Sequence, residues 1–208
     1  MRRALIGVLA VLSGPATVLA PASAAAAPAG CAATGAKLLA AAGGARLYVQ
    51  GADLYGCLGS RRTLLGGAPG VRRLGATRVA LYALAPREAG IDTITMGIDT
   101  FASQVSIVDL HTGRTVASAP ATTPEMRAES FITVTVLAID ARGTLAWIGS
   151  RSAIGSSTPT YEVHALTAAG ARRLLASSTK IAPHSLTLHG RTLGWVDGGS
   201  ARTATLAP

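Results

Sequence analysis

The alternation of apolar and polar positions along this chain has the period of strands, not of helices. Val134, Val136 and Ala138 alternate with Thr133, Thr135 and Leu137, which predicts a strand with the first set on one face and the second on the other. Short apolar runs of this kind recur, punctuated by Gly and Pro about every 8 to 12 residues, as in all-β domains. They fall into four groups. The first predicts strands at 37–41, 46–50, 53–58 and 61–65. The second predicts 78–84, a turn over 86–90, then 91–98, 104–110 and 114–118. The third predicts 133–139, 144–150, 160–166 and 172–176, and the fourth only 185–188, 192–196 and 202–206. One short helix is expected over 123–130, with Thr123 as N-cap, Pro124 at the first helical position and Glu125 in the first turn.

The groups share more than a period. A strand ending in Leu, a turn through Gly and a restart on Arg occurs at Leu58-Gly59-Ser60-Arg61, at Leu110 to Arg114, and at Leu166 to Arg172. Residues 143–149 align with 191–197, placing Trp147 opposite Trp195 at a spacing of 48, with Tyr48 in a looser third copy of that slot. The two indoles are expected as core fillers between neighbouring sheets. Recurrence of short strands at roughly 50 residues is the mark of stacked β-repeats. The stretch Val105-Ser-Ile-Val-Asp-Leu-His-Thr-Gly-Arg-Thr-Val116 resembles the third-to-fourth strand hairpin of bacterial β-propeller repeats of the YVTN and WD40-like kind. The resemblance implies stacked four-stranded antiparallel sheets. Propellers usually carry roughly six to eight blades, whereas about four units fit here. The expected fold class is therefore all-β and propeller-like, small or incomplete, with an open β-sandwich as the alternative.

The first residues read differently. Arg2 and Arg3, the apolar run from Ala4 to Ala20 and the small residues Ala22-Ser23-Ala24 have the order of a secretory signal peptide. The expected organisation is a signal peptide over 1–26, a flexible leader over 27–36 and one β-repeat domain over 37–208. Export to an oxidising compartment predicts that Cys31 and Cys57 form a disulfide. A rival reading makes Cys31 the lipidated tether of a surface lipoprotein, but Pro28 stands where that signal needs a bulky aliphatic residue.

Removing Arg2 and Arg3 from the 19 Lys+Arg leaves 17 against 10 Asp+Glu, a net charge of +7. Most of the excess is early: between residues 46 and 87, seven arginines face only Asp53. Arg61, Arg62, Arg72 and Arg73 form a candidate binding surface for an anionic cell-envelope polymer. Nucleic acid is not expected as a partner, since no strip interleaves aromatic and basic residues and the signal directs the chain away from it. A monomer is expected.

Candidate chemistry is thin. The chain has no Asn, two Gln and two Lys, so few amide and ammonium groups could orient a substrate. His111, His164, His184 and His189 lack metal-ligand spacing, and no cofactor is expected. Ser177-Ser-Thr-Lys180 has the S-x-x-K spacing of a nucleophile motif but lacks its partner motifs and reads as a loop. Asp92 and Asp99, with Glu88 and Asp109, are the one acidic grouping, a candidate for cation or sugar contact. The expectation is an exported, non-catalytic binding or structural module. The alternative is a small secreted hydrolase acting on glycan or cell-wall polymer through Asp92 or Asp99.

Overall fold

A computed structural model describes residues 31, 34–70, 77–96, 101–124 and 130–206. The expected signal peptide, most of the leader, Arg72, Arg73, Asp99 and the core of the expected short helix lie outside the described residues. What is described is built of strands. They are β1 (Lys37–Ala42), β2 (Ala45–Gln50), β3 (Asp53–Leu58), β4 (Arg61–Gly67), β5 (Arg78–Leu84), β6 (Glu88–Met96), β7 (Phe101–Asp109) and β8 (Arg114–Pro120). After them come β9 (Ser130–Ile139), β10 (Leu145–Ala153), β11 (Thr160–Leu166), β12 (Arg172–Ser178), β13 (Thr187–His189), β14 (Thr192–Asp197) and β15 (Ser200–Thr205).

Sequential antiparallel pairing makes meanders of β1–β4, β5–β8, β9–β12 and β13–β15. The first three are joined by single parallel pairs, Gly67 with Arg78 and Phe101 with Phe131. Hydrogen bonding therefore defines one mixed 12-stranded sheet and a separate three-stranded sheet, where four separate sheets were expected. Among the described residues no pairing joins the first meander to the last, so the sheets are not closed.

Apolar clusters fill the seams between consecutive meanders. Leu47, Leu54 and Leu65 meet Val79, Ile91 and Leu110 in the first seam. In the second, Val105, Ile107 and Ala119 meet Leu145, Trp147 and Leu166. The third brings Ile148, Val163 and Ala165 against Leu193, Trp195 and Leu206. Trp147 and Trp195 each sit on the second strand of their meander and face the meander before it. Both are core residues, at 0% and 7% exposure, and Trp147 Nε1 donates to the Ala121 carbonyl at 2.7 Å. Burying an indole of this size stabilises the seam by about 4 kcal/mol.

Two local expectations are corrected. Val134 belongs to the second seam, whereas Val136 and Ala138 pack against the third. The cause is a bulge: Ile148 pairs with Val136 while Gly149 pairs with Val134, leaving Thr135 as the extra residue. One inserted residue exchanges the faces of everything beyond it. Thr135 is held by donating to the carbonyls of Ile148 and Pro183. The second correction concerns 86–90, expected as a turn. Glu88, Ala89 and Gly90 already pair with Asp109, Val108 and Ile107 in β6. Gly90 is there for closeness, not for turning: a Cβ on it would lie 2.2 Å from Leu145 Cδ1 across the seam. Of the expected helix, Ser130 instead begins β9.

Candidate functional site

Three places concentrate polar chemistry. The first is sealed inside the second seam. β11 alternates, so that Val163 and Ala165 face the third seam while Glu162 and His164 face the other way. Glu162 and His164 are buried, at 2% and 0% exposure. His164 Nε2 lies 2.7 Å from Glu162 Oε2, and its ring stacks on Trp147 with centroids 5.1 Å apart. The Thr123 amide donates to the same carboxylate oxygen at 2.7 Å, and Arg151 Nη2 approaches Oε1 at 3.5 Å. Arg151 Nη1 also donates to the Thr123 carbonyl. Burial pushes the Glu162 carboxyl up, but the His164 and Thr123 hydrogen bonds outweigh it and bring it down to about 2. Burial lowers His164, against the upward pull of Glu162. The result is a carboxylate beside a neutral imidazole that donates from Nε2. An acid and base pair could in principle transfer protons, but both side chains are buried, and Glu162 is spent on holding Thr123, Arg151 and His164.

Asp92 lies in the same seam, on the β6 face that looks towards the third meander, paired with Val105 and Leu81. It is fully buried and neither carboxylate oxygen has a hydrogen-bond partner. Burial pushes it up to about 7, with the neighbouring Ser103 hydroxyl, outside hydrogen-bond geometry, drawing it back. Asp92 is therefore separated from Glu88 and Asp109. Glu88 and Asp109 are cross-strand partners at the rim, where Arg87 Nη2 binds Asp109 at 2.9 Å. Asp109 is a turn-former: its Oδ1 accepts from the His111 and Thr112 amides, and Gly113 completes the turn at φ 72°. Burial raises the Asp109 carboxyl, but Arg87 and those amides more than offset it.

The second place is the outer face of the first meander. Leu38, Tyr48, Tyr55 and Leu64 form a cross-strand row, with Leu38 and Leu64 exposed by 57% and 59%. Cys31 and Cys57 are joined by a disulfide, as expected, and the Tyr48 hydroxyl donates to the Cys31 carbonyl at 2.5 Å. That bond fits a compartment outside the reducing cytoplasm. Tyr48 and Tyr55 stack with centroids 5.6 Å apart. The Arg62 guanidinium lies 3.6 Å from the Tyr55 ring centroid and donates to Gln50 Oε1 at 2.7 Å. Arg61 projects instead towards the β7–β8 turn, within 3.6 Å of where a side chain on Gly113 would stand. The structure thus does not bring Arg61 and Arg62 into one contact set.

The third place was not singled out by sequence. Turns of the third meander and residues flanking β14 and β15 converge on a cleft of about 230 Å³, lined by Asp140, Arg142, Thr144, Thr167, Arg191 and Leu206 among others. The Asp140-Ala-Arg-Gly143 turn was legible as a turn, but nothing local shows that Arg191 comes to lie beside it. Among the described residues no three His, Cys, Asp or Glu side chains converge as a metal site would. His184 Nδ1 lies against the Thr135 carbonyl, His189 sits at the end of β13, and Lys180 donates its amide to Ser178 in the turn after β12. No helix among the described residues is long and apolar enough to cross a membrane. Neither a known family model nor a curated protein matches the chain.

Proposed function

We propose that the protein is an exported, non-catalytic β-sheet module that binds an anionic cell-envelope polymer. The observation that carries this reading is Arg62, exposed on the outer face of the first meander, laid over Tyr55 and fixed by Gln50. A guanidinium ordered on an aromatic plate keeps donors free and loses little freedom on binding, so it suits phosphate or carboxylate groups along a polymer. The buried groups support the same reading. Asp92, one of the two carboxylates offered for the hydrolase alternative, has no exposed surface, and Glu162 and His164 serve contacts inside the seam. The disulfide supports export, and the order of charges and apolar residues over 1–26 supports a signal peptide.

We infer that the meanders are successive units of an incomplete propeller-like stack. Support comes from the shared placement of Trp147 and Trp195, and from Tyr48, which occupies that second-strand slot on the face where a preceding meander would pack.

The experiment is binding of the full chain to a poly(glycerol phosphate) across a salt series. The expected result is affinity that falls with salt and weakens at least tenfold in Arg62→Glu, with a shallower salt slope. Binding that ignores this reversal, or no binding at low salt, overturns the proposal.

A further inference from the structure

We infer that the cleft between the third meander and β13–β15 is a binding site for a small oxyanion, a carboxylate or phosphate group. It is at the rim of the stack, distinct from the Arg62 face, and does not depend on it.

Asp140 Oδ1 accepts from the amides of Arg142 and Thr144 at 2.9 and 2.8 Å, which fixes the β9–β10 turn. Thr167 Oγ1 accepts from the Ala171 amide, fixing the β11–β12 turn opposite. Arg191 and Leu206 clamp each other: the Leu206 amide donates to the Arg191 carbonyl at 2.8 Å, and Arg191 Nε donates to the Leu206 carbonyl at 2.9 Å. The walls are therefore built before any ligand arrives.

The donors are unspent. Among the described residues Arg191 uses Nε on the clamp and neither Nη group has a protein partner, and the Arg142 guanidinium has no hydrogen bond or ion pair. Asp140 stands in the same turn yet forms no ion pair with either arginine among the described residues. In the lining two guanidiniums stand against one carboxylate, with Glu88 packed against Gly143 of the same turn. Two forks of N–H donors beside an apolar wall at Leu206 match a planar carboxylate or a phosphate on a small body. The volume of about 230 Å³ exceeds that of several waters, enough for such a group.

The test is titration of the full chain with inorganic phosphate, and separately with N-acetylalanine, against chloride at matched ionic strength. The readout is the amide and arginine side-chain resonances, together with Tm. Saturable shifts are expected at the two turns and the Arg191–Leu206 clamp for at least one of the two probes, and the tighter probe names the preferred group. Arg142→Gln, which removes no contact that holds the fold, should weaken binding about tenfold, the worth of a charge-assisted hydrogen bond. Arg62→Gln should leave it unchanged, which separates this site from the polymer-binding face. Shifts that do not saturate, that persist in Arg142→Gln, or that vanish in Arg62→Gln would each overturn the inference.

Discussion

The Trp147 Nε1 hydrogen and a would-be side chain on Gly149 compete for one backbone atom, the carbonyl oxygen of Ala121. Trp147 donates to it at 2.7 Å, and a Cβ on Gly149 would stand 2.2 Å from it. One carbonyl therefore fixes both the indole and the closeness of the second and third meanders.

Gly149→Ala must displace backbone, so it should destabilise the fold by roughly 3 kcal/mol or more. Gly90→Ala meets only Leu145 Cδ1, the far end of a side chain that can rotate, and should cost about 1–2 kcal/mol. Urea unfolding of both variants checks the ranking. Equal costs would show that the Ala121 carbonyl is free to move.

The pH profile should have two limbs with opposite signs. Glu162 is held at about 2, below its ordinary 4.5, so its contribution is full above 4.5 and is lost as pH falls through about 2. Asp92 is raised from 3.8 to about 7, so folding favours its protonated form, and stability is lost as pH climbs through 7. Between the limbs His164, held neutral below its ordinary 6.5, loses stability on acidification and opposes the Asp92 slope. The Asp92 limb is worth on the order of 4 kcal/mol. Asp92→Asn should flatten the upper limb and exceed the parent protein above pH 7. An unchanged slope, followed by urea midpoints at several pH values, would mean that Asp92 is solvated.

Glu162→Ala leaves Arg151 without this carboxylate and His164 and the Thr123 amide without their acceptor. Breaking a buried ionic set on one side should destabilise by about 3–5 kcal/mol, more than Glu162→Gln, which keeps an acceptor. Chemical unfolding of the pair checks the order.

Reduction, or Cys31→Ser with Cys57→Ser, should lower stability by about 3 kcal/mol for a loop of 26 residues. Tyr48 would also lose the fixed Cys31 carbonyl that receives its hydroxyl hydrogen. Because the bridge lies on the outer face of the first meander, Arg62 should be the binding residue most disturbed, read as weaker polymer affinity.

Strand content was legible because period-2 alternation and Gly turns are local signals; β3, β5 and β11 are close to their expected limits. The faces of β9 were not legible beyond Thr135, since the bulge is stabilised by a carbonyl 48 residues away, at Pro183. Gly90 read as a turn because sequence does not show that Leu145 presses on it. The indoles were recognised as core from their matched spacing. The Glu162–His164 contact is not legible in the sequence, because a polar pair two apart on a strand looks like a solvent face until the covering meander is known. The arginine cleft likewise depends on bringing residue 142 beside residue 191.

The ionisable groups of the second seam are sealed and structural, and ¹⁵N titration of the His164 ring tests this. The ring should hold one neutral tautomer, protonated at Nε2 against Glu162, that persists below the ordinary 6.5 with slow solvent exchange. A histidine that titrates at its ordinary value and exchanges freely with water would contradict it.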